Sequence, residues 1–112
     1  MKITQSLKKN KDFQQVYKRG ETFANKYLVM IVLENGLQEN RLGISVSKKV
    51  GNSVQRHRIT RLVRENYRSL EENFLRGLDI VVVARVNSKG IGYKEVESAL
   101  RHLGKLHGIV VK

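Results

Sequence analysis

Apolar residues recur in six patterned segments of this 112-residue chain, separated by polar and glycine-containing stretches. In Lys8 to Arg19, Phe13, Val16 and Tyr17 fall at i, i+3 and i+4, which predicts a short amphipathic helix with Asn10 as N-cap and Gly20 as its end. Tyr27 to Leu33, YLVMIVL, is an unbroken β-branched run short enough to be a strand covered on both faces. Glu34 to Arg41 carries an Asn-Gly pair suited to a hairpin, and Leu42 to Ser47 follows with Leu42, Ile44 and Val46 on one side. These two strands are expected to be antiparallel neighbours.

After Lys48 to Asn52 the period becomes helical. Ile59, Leu62, Val63, Asn66, Tyr67, Leu70 and Phe74 share one sector of roughly 100°, while His57, Arg61, Arg64 and Arg68 occupy the opposite one. Gly77 is placed as the helix C-cap, and Asp79 to Arg85, DIVVVAR, is the most apolar strand. Strand, helix, strand implies a crossover in which 42 to 47 and 79 to 85 run parallel in one sheet. A last helix is expected over Tyr93 to Lys105 through Val96, Ala99, Leu100 and Leu103, with Gly104 and Gly108 weakening its end. Ile109 to Val111 reads equally as a frayed tail or a late edge strand. Without repeats, proline or low-complexity linkers, residues 1–112 are expected to form a single domain.

Charge changes the picture most. The chain carries 22 Lys and Arg against 10 Asp and Glu, a formal +12 with a pI near 10.3. Such an excess opposes folding through self-repulsion and points to an anionic partner, nucleic acid before a membrane surface. Arg41 to Arg68 alone holds eight basic residues and the single acid Glu65, a net seven of those twelve charges. A charged outer helix face is ordinarily just solvated, and for Arg64 and Arg68 that reading and a functional one weigh about equally. Solvation does not account for Lys48, Lys49, Arg56, Arg58 and Arg61, because cations at a helix N-terminus oppose the macrodipole. The turn amides of Gly51 to Ser53 are candidate additional donors to a phosphate oxygen. Phe13 and Tyr17 have two readings: core anchors, which periodicity alone favours, or a stacking platform for single-stranded nucleotides ringed by Lys8, Lys9, Lys11, Lys18 and Arg19.

Signals for catalysis are weak. His57, His102 and His107 are dispersed without ligand spacing, cysteine is absent, and of the acids only Asp79 lies near a predicted strand end. Ser45, Ser47 and Ser53 have no base and acid partners in order, and no glycine pattern matches a phosphate loop. No apolar run reaches the length of a membrane span, and MKITQSLKKNKDFQQ lacks the apolar core of a secretory signal. A soluble, untargeted, cytoplasmic protein is expected, with no metal site and no small-molecule substrate. Any catalytic groups are expected in a partner.

The segments KKNKDFQQVYKRG, Ala24-Asn25, LGISVSKKVGNSVQRHRITRLVRENYR and DIVVVAR, with the last helix, together resemble the protein subunit of bacterial ribonuclease P. The most specific part is the Lys-Lys-Xaa-Gly-Asn turn followed by Arg-Xaa-Arg, here Lys48, Lys49, Gly51, Asn52, Arg56 and Arg58. The resemblance implies an α/β (α+β) two-layer sandwich with a mixed sheet of about four strands and three helices. It also implies a left-handed β-α-β crossover, against the right-handed form of about 98% of such units. It implies binding of the catalytic RNA by Lys48, Lys49, Asn52, Arg56, Arg58, Arg61 and Arg64, and of the precursor tRNA leader by Phe13, Tyr17, Lys9 and Lys11. The function implied is assistance to Mg²⁺-dependent removal of the 5′ leader, the Mg²⁺ being held in the RNA and no cofactor by the protein alone. Two positions depart from the family pattern: His57 replaces the usual Asn between the arginines, and Ile31 stands where some relatives have an aromatic. Alternatives from other classes are a general structured-RNA-binding or ribosome-associated module, and a metal-dependent nuclease in its own right.

Overall fold

A computed structural model describes residues 4–111. In chain order the elements are β1 (Thr4–Ser6), α1 (Asn10–Arg19), β2 (Glu21–Ala24), β3 (Leu28–Glu34), β4 (Asn40–Val46), α2 (Ser53–Leu70), β5 (Leu78–Ala84) and α3 (Tyr93–His107). Short 3₁₀ turns at Glu71–Asn73 and Val86–Ser88 flank β5. The sheet is mixed and five-stranded in the order β1-β4-β5-β3-β2, with β1, β4 and β5 parallel and β3 antiparallel to both β5 and β2.

The crossover expectation holds, since β4 and β5 pair in parallel around α2. The expected hairpin does not. Strands β3 and β4 are separated by β5, whose side chains are nearly all buried and which therefore takes the centre. The Asn35-Gly36 turn instead passes over the start of β5: Asn35 donates its backbone N–H to Gly77 O at 2.9 Å, and its side-chain oxygen accepts from Leu37 N at 2.8 Å. Five strands replace the expected four or so, because β1 (TQS) and β2 (ETFA) are too short and polar to announce themselves by periodicity.

Alternation in the central strands makes two cores. Leu28, Met30, Ile80 and Val82 point to one face, where Ile59, Val63, Tyr67 and Leu70 of α2 and Val96, Leu100 and Leu103 of α3 pack on them. Ile31 and Val81 point to the other, beneath Leu7 and Val16 of the α1 region. This answers which side of β3 is inward: both are. Asn66, the polar residue in α2's apolar sector, is fully buried and donates to Leu62 O at 3.0 Å and Tyr93 O at 3.2 Å, tying α2 to the start of α3.

Helix ends differ from expectation in detail. The N-cap of α1 is Lys9, not Asn10, and makes no side-chain cap. Helix α2 stops at Leu70, so Phe74 reaches the core from beyond a 3₁₀ turn, its ring 5.6 Å from that of Tyr67. Gly77 caps no helix; its φ of +84° serves the turn into β5. The left-handed cap is Gly108, where Ile109 N bonds Gly104 O at 3.1 Å in a Schellman pattern. Gly104 does not weaken α3: a Cβ there would meet Phe74 and Val110 at 3.0 Å, so its smallness lets the tail pack. Ile109 to Val111 is neither frayed nor part of the sheet. Ile109 is buried, Val110 bridges Phe74, and Val111 N bonds Asn73 O at 2.7 Å.

Candidate nucleic-acid interface

The turn after β4 is anchored by the fully buried Val50, whose N–H bonds Ser47 O at 3.1 Å, which leaves Lys48 and Lys49 exposed at its tip. Asn52 then caps α2 reciprocally with Gln55: its Oδ1 accepts from Gln55 N, and Gln55 Oε1 accepts from Asn52 N, both at 2.9 Å. The expectation of open turn amides is corrected at Asn52, whose backbone N–H is committed to this box. Its side-chain nitrogen is the donor that remains for a ligand.

Helix α2 has no acid in its first turn, and the buried side from Ile59 to Leu70 holds the basic side outward. Arg61, Arg64, Arg68 and His57 are exposed. Arg58 donates one guanidinium nitrogen, Nη1, to Ile91 O at 2.8 Å, so the group is fixed while its other donors stay available. The buried Nε of Arg56 has no hydrogen-bond partner among the described residues. An orphaned buried donor on an arginine is costly unless a ligand or water completes it.

Strand register adds residues that the one-dimensional reading missed. Val46, Ala84 and Leu28 are aligned across the sheet, so the segments after β4, after β5 and before β3 emerge at the same end. Lys26, Arg85 and Lys89 thereby join Lys48 and Lys49; Arg58 reaches the segment after β5 through Ile91 O, and Lys94 of α3 lines a hollow with Lys26. Arg85 holds this end together by donating Nη1 to Asn25 O at 2.9 Å. The signal that could have found them was the parallel β4–β5 pairing, once combined with the true place of β3.

Arg41 leaves the group. It sits at the other end of β4 and grips Asp79 through Nε at 2.7 Å and Nη2 at 2.6 Å, with Asp12 of α1 at 3.5 Å. The hydrogen bond to Asp79 raises its pKa, outweighing the opposing cost of burial, and Asp79 and Asp12 add electrostatic attraction. Asn35 Nδ2 also donates to Asp79, at 2.9 Å. Asp79, the carboxylate that the sequence places near a strand end, is thus held as a structural anchor.

On the α1 face the strands form three rows: Arg41, Asp79 and Leu33; Gly43, Val81 and Ile31; Ser45, Val83 and Val29. Helix α1 covers the middle row, and the third row is only half-buried. Phe13 lies directly on Gly43, where an added Cβ would come within 2.5 Å of its ring. It is half-buried, whereas Tyr17 is 44% exposed, the ring centroids being 6.3 Å apart. Lys9 and Lys11 are exposed at the start of the same helix. Ile31 is buried beneath α1 and offers no stacking face. The candidate residues thus fall on two surfaces, α2 and the sheet end on one, α1 and the uncovered row on the other.

The histidines scatter in space as in sequence. His107 is buried, its Nε2 2.9 Å from Met30 O and its ring edge-on to Phe23; a carbonyl only accepts, so Nε2 carries the hydrogen. Tyr67 holds Thr4 Oγ1 at 3.0 Å, and burial pushes its phenol pKa up. No helix among the described residues is long and apolar enough to cross a membrane. The chemistry that the two surfaces offer is charge-assisted phosphate binding and aromatic stacking.

Comparison with known proteins agrees. The family model for ribonuclease P matches residues 1–107. The ribonuclease P protein component of Lachnoclostridium phytofermentans is 61% identical over 108 residues, covering 96% of this chain and 93% of that protein. The solved RNase P protein of Staphylococcus aureus superposes with a TM-score of 0.87 at 39% identity, covering 94% of this chain and 96% of the other. That of Thermotoga maritima superposes with a TM-score of 0.82 at 31% identity, covering 91% and 96%. With the fold and nearly the full length matched, this chain belongs to the ribonuclease P protein family.

Proposed function

We propose that this chain is the protein component of a bacterial ribonuclease P, acting in the cytoplasm on the 5′ leader of precursor tRNA. The role in tRNA 5′ maturation follows from the family. The observation that carries the assignment of surfaces is the α2 platform: cations without acidic partners in the first turn, one guanidinium pinned and another with an unsatisfied buried donor. In this reading Lys48, Lys49, Asn52, Arg56, Arg58, Arg61 and Arg64 bind the catalytic RNA. Phosphate neutralisation there releases counterions, making affinity fall steeply with salt.

Phe13 and Tyr17, flanked by Lys9 and Lys11, receive the single-stranded leader beside the uncovered Ser45-Val83-Val29 row. Stacking is tolerant of sequence, which suits a strand whose bases vary. The catalytic centre and its Mg²⁺ belong to the RNA in this proposal, and the protein contributes affinity and position. Leader cleavage with protein alone, catalytic RNA alone and both at low Mg²⁺ tests it. Gain only when both are present is expected; no gain on adding protein would sink the proposal, and cleavage by protein alone would move the active site into this chain.

A further inference from the structure

We propose that the hollow between the β2–β3 loop and α3 receives one unpaired nucleotide of the catalytic RNA. The inference rests on the reading of this chain as an RNA-bound subunit and extends the contact beyond α2. The hollow is a cavity of about 370 Å³ lined by Lys26, Tyr27, Lys94, Ser98, Ala99 and His102 among others. That volume lies within the range of small-ligand sites.

Its walls are preformed. Asn25 accepts the N–H groups of Tyr27 at 3.2 Å and Leu28 at 3.0 Å on its side-chain oxygen, which fixes the orientation of the amide. Its Nδ2 then donates to Ala99 O at 3.0 Å and lies 3.2 Å from His102 Nδ1. An amide nitrogen only donates, so His102 accepts at Nδ1 and carries its hydrogen on Nε2 as a donor. The pocket therefore combines an aromatic ring, a histidine N–H, a serine hydroxyl and two ammonium groups.

Those groups match the parts of a nucleotide. Lys26 Nζ stands 5.4 Å from the Tyr27 ring centroid, so the ring already attracts a cation. A base stacked on Tyr27 leaves Lys26 and Lys94 to meet its phosphate, while His102 and Ser98 face the base edge. The acid in the wall, Glu95, reaches back to Gly92 N at 3.2 Å in the cap of α3. Continuity selects the catalytic RNA over the leader: Arg85 ties Asn25 to the sheet end that carries Lys48 to Arg58, whereas α1 lies on the opposite sheet face.

The test is a holoenzyme reconstituted from the full chain and its catalytic RNA, with a benzophenone crosslinker at Ser98 and, as reference, at Val54, which is 75% exposed on the first turn of α2. Position 98 is expected to crosslink to an unpaired nucleotide of the catalytic RNA. Lys94→Glu, at an exposed site, and Tyr27→Leu should each weaken catalytic-RNA binding about five- to tenfold, the first with unchanged thermal melting. Crosslinking from 98 to the leader or to no RNA, while Val54 crosslinks normally and Lys94→Glu binds like the parent, would overturn this pocket alone. Failure of the unaltered chain to bind the catalytic RNA would overturn the proposed function and this inference together.

Discussion

The sheet end at α2 and the α1 face both carry arginine, but they use it in opposite ways. At the α2 end Arg56 and Arg58 have no acidic partner among the described residues; a backbone carbonyl pins the exposed Arg58, and Arg56 keeps a buried Nε without a partner. On the α1 face Arg41 is closed in a fork between Asp79 and Asp12. What separates a docking group from an anchor is therefore its partners, since residue type and sequence neighbourhood are shared. The aromatics divide similarly: Phe13 is half held by Gly43, and Tyr17 projects.

The sharpest break of this contrast is the double substitution Arg56→Ala with Arg58→Ala. Each charge-assisted contact is worth about 1.5 to 3 kcal/mol, so the pair should weaken catalytic-RNA binding by roughly 3 to 6 kcal/mol if they act independently. Thermal stability should fall far less, because Arg58 gives up a single hydrogen bond to a backbone carbonyl and Arg56 a buried unsatisfied donor. A filter-binding titration over salt should also show a shallower slope. A large loss of stability with normal affinity would make these residues anchors like Arg41.

Next in size is Gly43→Val, which attacks the other region through packing. The new side chain collides with the Phe13 ring and should lift α1, costing about 1 to 3 kcal/mol of stability by overpacking. Discrimination between precursor and mature tRNA should shrink while catalytic-RNA affinity holds. Phe13→Ala tests the same face without a clash and should weaken precursor binding by roughly 1 to 3 kcal/mol through lost stacking, sparing mature tRNA. Competition binding of the two tRNAs to the holoenzyme separates these outcomes; equal loss for both ligands would return Phe13 to the core.

How much of this was legible in the sequence depended on whether the cause was local. The three helices, the apolar strands and the parallel β4–β5 pair follow from periodicity and segment order, which act over a few residues. Strand β5 displaced β4 from beside β3 because it is apolar on both faces, a tertiary competition invisible in either segment alone. The Arg41 fork joins residues 29 and 38 positions apart, and nothing near Arg41 distinguishes it from Arg56. Lys26, Arg85 and Lys89 were missed for the same reason: they meet only through register. The basic cluster itself was legible because its anomaly, cations crowding a helix N-terminus, is local.

The smallest expected effect comes from Tyr67→Phe, which asks whether the inner side of α2 can be disturbed without disturbing its outer side. Tyr67 is 1% exposed, and its hydroxyl meets Thr4 Oγ1 at 3.0 Å and, at 3.5 Å, Asn40 Nδ2. Removing the hydroxyl should cost about 0.5 to 1.5 kcal/mol of stability and leave catalytic-RNA affinity unchanged. Burial raises the folded-state pKa of this phenol above the ordinary 10.0, so the folded chain keeps the proton that the unfolded chain gives up. That contribution is intact below pH 10 and is lost as pH climbs from there toward the folded value. Melting curves across this alkaline range should decline less steeply in the Phe variant than in the parent. Parallel curves would mean that burial does not hold the proton on this phenol in the folded chain, and a drop in RNA affinity would mean that α2 transmits strain from its buried side to its basic one.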